Sequence, residues 1–170
     1  SQTNSKLQQL VITDSLTGCY NRHYLTLQLE QRVLENMKYR LSFAIILLDI
    51  DYFKGVNDQY GHLIGDEVIV NTVKIIQQSL RQTDILARYG GEEFVLILPK
   101  TRAADANKIA AALVEAVQLQ HIPHCASDVA KEVTISAGVA TVVPSSPHQA
   151  KQLIAKADDN LYKAKAAGRN

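Results

Sequence analysis

The stretch that most limits the fold is Leu41-Ser42-Phe43-Ala44-Ile45-Ile46-Leu47-Leu48, a run that is apolar but for Ser42. Strict alternation would describe a strand wet on one side. A continuous run describes a strand buried on both faces. Elements that can supply the cover lie on either side of it. Residues 21–38 read as an amphipathic helix through Leu25, Leu29, Val33 and Leu34. A short helical turn is expected over 54–60, then a long helix over 62–80 with Ile64, Val68, Ile69, Val73 and Ile76 on its buried face. Residues 84–99 read as a hairpin, and Thr101 can cap a helix running to about 119 through Ile109, Leu113 and Val117. Val133–Val143 alternates as a strand, and 148–167 form a last helix through Leu153, Ala157, Leu161 and Ala164. Helices alternating with strands, plus one hairpin, predict an α/β (α+β) domain with a mixed central β-sheet flanked by helices. Residues 120–132 are polar, carry Pro123 and read as a loop with room for a short strand pair. At the other end, Leu7, Leu10 and Val11 sit at helical spacing. Residues 5–12 are therefore expected to be a helix entering the domain, with Asp14-Ser15 suited to a turn or cap.

A chain of 170 residues is most simply one domain with one substantial core, and an apolar share of 46% supports that. The net charge of +1 excludes a broad basic surface for DNA or RNA, so any phosphate site must be local. Cys19 and Cys125 show no metal or redox spacing and read as reduced thiols. No apolar run reaches membrane-spanning length and no signal peptide is visible, so the expected location is cytoplasmic. The chain starts without Met. It is expected to be a domain cut from a longer protein, whose N-terminal sensor is missing here and which could be membrane-anchored.

The chemistry concentrates in Arg88-Tyr89-Gly90-Gly91-Glu92-Glu93-Phe94. Two apolar segments flank a Gly-Gly pair, so the turn can take positive φ and let a ligand approach bare backbone. Two acids follow at the mouth of a strand, a pattern suited to a hard cation and the phosphates it carries. The apolar run at 41–48 also ends in acid, as Asp49-Ile50-Asp51-Tyr52-Phe53-Lys54. Adjacent strands would bring Asp49 and Glu92 together as metal ligands. Mg²⁺, with Mn²⁺ as a substitute, wants oxygen ligands and shares them with substrate phosphates. Glu93 serves equally as a further ligand or as a surface acid. On residue type alone, Asn57-Asp58 makes an ordinary turn and cap, and Asp66 is a first-turn helix acid.

These segments form an ordered set. Asp14-Ser15-Leu16-Thr17-Gly18 with Asn21-Arg22 comes first, then Asp49–Lys54, Asn57-Asp58, Gly61-His62 and Gly65-Asp66. Gly90-Gly91-Glu92-Glu93-Phe94 follows. Ala157-Asp158, Leu161-Tyr162, Ala164-Lys165 and Gly168-Arg169-Asn170 close the chain. Together they resemble the GGDEF domain, the catalytic domain of diguanylate cyclases. Two positions depart from the pattern, His23 for a second arginine and Asn160 for a small residue; neither removes an expected catalytic group.

The resemblance implies a nucleotidyl-cyclase, polymerase-palm-like fold, with residues 1–12 as an entering signalling helix and 13–170 as the catalytic domain. It implies condensation of two GTP into cyclic di-GMP and two pyrophosphate, with Glu92 and Glu93 as catalytic acids. Asp49, the Ile50 carbonyl and Glu92 would hold Mg²⁺. Asn57 and Asp66 would read guanine, with His62 beside them. The N–H groups of Phe53 and Lys54, and the side chains of Lys54, Lys165 and Arg169, would take the phosphates. Arg81-Gln82-Thr83-Asp84 falls where the family carries its product-inhibition site, so Arg81 and Asp84 are expected to bind cyclic di-GMP. One nucleotide site per chain implies a homodimer for activity. The alternative reading is a catalytically silent receptor for GTP or cyclic di-GMP, against which the intact Asp49, Lys54, Glu92 and Glu93 argue.

Overall fold

The computed structural model describes residues 12–120 and 132–168. In chain order the elements are α1 (Arg22–Tyr39), β1 (Phe43–Ile50), α2 (Phe53–Tyr60), α3 (His62–Gln78), β2 (Ile85–Arg88), β3 (Glu93–Leu98), α4 (Ala103–Leu119), β4 (Ile135–Val142) and α5 (Gln149–Ala166). The sheet has four strands in the order β2-β3-β1-β4, paired antiparallel throughout. Its parallel component is a single bridge, where Tyr20 joins Ala87 at the outer side of β2.

All eight residues of β1 are buried, as the apolar run requires. Ala44, Ile46, Leu48 and Ile50 face one core, shared with Val68, Ile69, Val73 and Ile76 of α3 and Leu113 and Val117 of α4. Phe43, Ile45 and Leu47 face a second core built with Leu25, Leu29 and Val33 of α1 and Leu153, Ala157 and Leu161 of α5. Helices thus cover both faces of a central strand. Each fully buried Leu, Ile or Phe in these layers contributes roughly 1.5–3 kcal/mol of transfer free energy.

The helix starts follow local chemistry in one case and tertiary contacts in another. Asn21 caps α1, its side chain accepting from the Tyr24 N–H at 2.9 Å. Asp14 does not cap a helix; it closes a turn by accepting from the Thr17 N–H and hydroxyl at 2.9 and 2.8 Å. Thr101 departs from its expected role as a helix cap. The helix begins at Ala103, and the buried Thr101 hydroxyl donates to the Pro99 carbonyl at 3.0 Å and accepts from Arg81 Nη2 at 2.9 Å. A guanidinium twenty residues away in sequence claims the oxygen that the helix N-terminus would have used.

The expected entering helix over 5–12 and the loop over 120–132 fall almost wholly outside the described residues, as do Cys125 and Arg169. Among the described residues, no helix is long and apolar enough to cross a membrane.

Candidate functional site

β1 carries its apolar run to the sheet edge and ends in acid. There Asp49 lies directly across from Glu93 on β3, and the Ile50 N–H donates to the Glu92 carbonyl at 3.2 Å. The antiparallel register therefore brings Asp49, Glu92 and Glu93 to one end of the sheet. Lys165, near the end of α5, reaches the same point and forms an ion pair with Asp49 Oδ2. Asp49 is 5% exposed, and its Oδ1 is buried with no hydrogen-bond partner. A buried carboxylate oxygen left unpaired costs about 1–3 kcal/mol or more, so folding alone gives no reason to keep it. Beside two further carboxylates, that oxygen suits a hard divalent cation. No group of three or more His, Cys, Asp or Glu side chains among the described residues forms a self-contained cage. Mg²⁺ is commonly held by one or two carboxylates and completed by substrate phosphates and water.

Burial pushes the Asp49 carboxyl up from an ordinary 3.8 to about 6. Lys165 pulls it back down, and the charges of Glu92 and Glu93 push it further up. Between pH 3.8 and about 6, the folded metal-free protein holds a proton that the unfolded chain has released. The contribution of Asp49 to stability therefore falls as pH rises through that window. The loss is about 3 kcal/mol at most, from the conversion of pKa shift to free energy. Asp49→Asn is expected to flatten this slope and to melt above the parent at pH 7, because Lys165 can turn to water. Thermal unfolding of metal-free protein at pH 4.5 and pH 7 checks it. A lower melting point than the parent at pH 7 would contradict the assignment.

Past β1 the chain turns sharply. Tyr52 adopts the left-handed region at φ 55° and leads directly into α2. Asp51 holds this turn from inside. Its N–H donates to the Thr134 carbonyl at 2.9 Å, and its carboxylate accepts from the hydroxyls of Thr134 and Ser136, each at 2.7 Å. Asp51 is 1% exposed. Sequence patterning leaves it without a task; the only hint is that it lies two residues from Asp49 and so can reach the same side of the sheet. The two aspartates of one short motif thus divide, one open to a cation and one locked into the scaffold. The locked turn sets the direction of α2, whose first residues are Phe53 and Lys54. Phe53 is buried and Lys54 is exposed.

The second part of the site lies between α2 and α3. Gly61 joins them at φ 83°, and its N–H donates to the Asn57 carbonyl at 2.9 Å. The Asn57 side chain lies against Gly65. A Cβ on Gly65 would stand 1.9 Å from Asn57 Oδ1 and 3.2 Å from the Phe53 ring. Glycine at 65 is what lets that amide lie there. Asn57 Oδ1 is also buried without a partner. Asp66, on the first turns of α3, is half-buried, whereas His62 is exposed.

Two sets of candidates therefore come together: Asp49, Glu92, Glu93 and Lys165 at the sheet end, and Phe53, Asn57 and Asp66 around the α2–α3 junction. Arg81 and Asp84 lie elsewhere, before the first residue of β2 and so at the opposite end of that strand from the Gly-Gly turn. Four residues of strand separate the two ends by roughly 13 Å. The pair is rigid. Arg81 Nε and Nη2 reach Asp84 at 2.9–3.1 Å, and the Arg81 N–H donates to Asp84 Oδ2 at 2.9 Å. Hydrogen bonding to Asp84 raises the Arg81 pKa against its desolvation. Both residues line a cavity of about 930 Å³ together with Tyr24, Arg32 and Tyr39 of or near α1. Arg32, which lines the cavity with Arg81, comes from α1.

The family described as diguanylate cyclase, GGDEF domain, matches residues 11–170. The response regulator PleD of Caulobacter vibrioides is 40% identical over 167 residues, covering 95% of this chain and 36% of PleD. The coiled coil and GGDEF domain of DgcB from Caulobacter crescentus, solved in complex with c-di-GMP, superposes with a TM-score of 0.88 at 27% identity, covering 99% of this chain and 87% of that one. The active GGEEF domain of a diguanylate cyclase from Vibrio cholerae gives a TM-score of 0.76 at 30% identity, covering 89% of this chain and 93% of that one. The chain spans between 27% and 45% of the length of the curated relatives YtrP, PleD and diguanylate cyclase A.

Proposed function

The chain belongs to the GGDEF domain family of diguanylate cyclases, and on that footing we propose that it condenses two GTP into cyclic di-GMP and two pyrophosphate with Mg²⁺. The observation that carries this reading is the buried, unpartnered Asp49 Oδ1 beside Glu92 and Glu93 at the Gly-Gly turn. Asp49, the Ile50 carbonyl and Glu92 would hold the metal. When bound, Mg²⁺ polarises the α-phosphoryl group and lowers the pKa of the attacking 3′-hydroxyl. Glu92 also stands as the acid best placed to assist loss of that proton. The start of α2 offers the N–H groups of Phe53 and Lys54 to the β- and γ-phosphates. Lys54, Lys165 and Arg169 supply charge-assisted bonds to the same groups.

Guanine is read by Asn57 and Asp66, with His62 at the rim. A carboxylate accepts from guanine N1–H and N2–H₂ together, a donor pair that adenine lacks. Each 3′-hydroxyl attacks the α-phosphorus of the other nucleotide. Two copies must therefore face each other, and the rate depends on their approach. The defining experiment incubates the protein with Mg²⁺ and either GTP or ATP and identifies products by mass. Cyclic di-GMP from GTP alone is expected. Binding of GTP without turnover would instead indicate a silent receptor.

Feedback is proposed at the remote pair. Cyclic di-GMP would bind at Arg81 and Asp84, with Arg81 taking guanine O6 and N7, and hold two domains with their GTP sites apart. Arg81→Ala should remove the inhibition and leave initial turnover nearly intact. Calorimetric titration of cyclic di-GMP into both forms decides the matter, and equal affinities would reduce Arg81 and Asp84 to a locked turn.

A further inference from the structure

Arg88 ends β2, and its guanidinium is divided between two segments that are far apart in sequence. Nε and Nη2 donate to the Gly91 carbonyl at 3.1 and 2.8 Å. Nη1 donates to both oxygens of Asp14 at 3.2 and 3.3 Å. Gly91 directly precedes Glu92, so the clamped carbonyl belongs to the peptide that leads into that acid. The Tyr89 and Gly90 N–H groups close the same turn by donating to the Glu93 carbonyl at 2.8 and 3.2 Å, and Arg88 adds the tie at the Gly91 carbonyl. Gly91 is exposed, and a Cβ placed on it would meet nothing within 4 Å.

The other end of the clamp is firmly tied. Asp14 accepts from Thr17, its N–H donates to the Cys19 carbonyl at 2.7 Å, and its carbonyl accepts from the Gly18 N–H at 2.9 Å. Tyr20 then knits this turn to β2, donating to the Leu86 carbonyl at 3.2 Å and accepting from the Arg88 N–H at 2.9 Å. The Arg88 and Asp14 side chains are 21% and 17% exposed, so solvent screens the pair less than it would a surface ion pair. Burial works against the Asp14 charge, but the Thr17 hydrogen bonds and Arg88 outweigh it and hold the carboxyl below its ordinary range.

We propose that Arg88 is a positioning residue that fixes the Gly91–Glu92 peptide from the turn at 14–20, so that placement of the Glu92 carboxylate depends on Asp14. The proposal rests on the reading of Glu92 as a metal-holding acid. It also gives the segment before α1 a physical route to the site. A shift of the turn at 14–20 moves Asp14, releases one arm of Arg88 and loosens the peptide that aims Glu92. Lysine cannot substitute, since one ammonium does not reproduce the planar fork that serves both acceptors.

The test uses the 170-residue chain with Asp14→Asn, Arg88→Lys and the double variant. Melting points, kcat and KM for GTP are measured, and Mn²⁺ binding is followed by electron paramagnetic resonance. Each single change is expected to lower kcat and Mn²⁺ affinity by about tenfold, the range for residues that orient a metal ligand. At saturating Mg²⁺, KM for GTP should stay within about twofold, because the pocket around Asn57 is untouched. The double variant should be no worse than Arg88→Lys alone, as expected for residues acting through one path. Multiplying effects, or a lowered melting point with unchanged kcat and Mn²⁺ binding, would overturn the proposal. Should Arg88→Lys fail to fold, the near-isosteric Asp14→Asn decides alone. Should the parent form no cyclic di-GMP, the proposed activity fails, and Mn²⁺ binding by parent and Asp14→Asn still decides the linkage.

Discussion

Glu92→Gln is expected to cut cyclic di-GMP formation by at least ~10²-fold, the scale of losing one well-placed electrostatic stabiliser. The substitution keeps side-chain volume and removes the charge that would hold the cation. The fold should survive it. Glu92 is tied to the sheet through its carbonyl, which accepts from the Ile50 N–H at 3.2 Å, and the change leaves that bond in place. Loss of the negative charge also relieves Asp49, whose carboxyl Glu92 helps to push up. Stability should therefore hold or rise while turnover collapses. Product mass and rate from GTP and Mg²⁺ measure the first effect, and thermal unfolding the second. Parental rates in this variant would remove Glu92 from the site.

Gly138→Ala is expected to be the most damaging small substitution in the scaffold. Gly138 lies on β4 opposite Leu47 of β1, under α5. A Cβ there would stand 2.1 Å from the Ala157 carbonyl oxygen, 2.4 Å from the Leu161 nitrogen and 2.8 Å from the Leu161 Cα. These are helix backbone atoms, which cannot turn aside as a side chain would, so α5 must lift from the sheet. Overpacking of this kind costs about 3 kcal/mol or more. For a chain of this size that lowers the melting point by roughly 6–12 °C. Because α5 carries Lys165, the ion pair with Asp49 would be pulled apart as well. Gly91→Ala is the control, since its Cβ would meet nothing, and it should change stability by no more than about 0.5 kcal/mol. Denaturant titration of the three proteins separates these outcomes. Equal stability of Gly138→Ala and parent would show that the helix sits further from the sheet than described.

The elements that the sequence defines well are those whose signal is local. The apolar run at 41–48 becomes a strand buried on both faces, and the segments around Gly90-Gly91 become a hairpin, though neither glycine takes the positive φ expected of the turn. The helices appear within a residue or two of their expected ends, but Leu34 and Ile64, expected on their apolar faces, are exposed. The adjacency of Asp49 and the Glu92–Glu93 pair also follows from strand ends and antiparallel pairing. Thr101 marks the limit of such reasoning. Its residue type suits a helix cap, but Arg81 reaches it from twenty positions away and takes the hydroxyl.

By itself, then, the sequence determined which segments are strands and helices, that one strand needs cover on both faces, and that acids gather where two strands end. Periodicity and turn chemistry act over a few residues and can be read from them. The tertiary structure alone decided which side chains meet across the core. It set Lys165 on Asp49 over a separation of 116 residues. It turned Asp51 inward onto Thr134 and Ser136, and gave Arg88 its two acceptors. It also made Gly65 and Gly138 necessary, one by the position of an amide and the other by that of a helix. Such pairings depend on how helices and sheet settle against one another, and close packing fixes that only once every layer is in place.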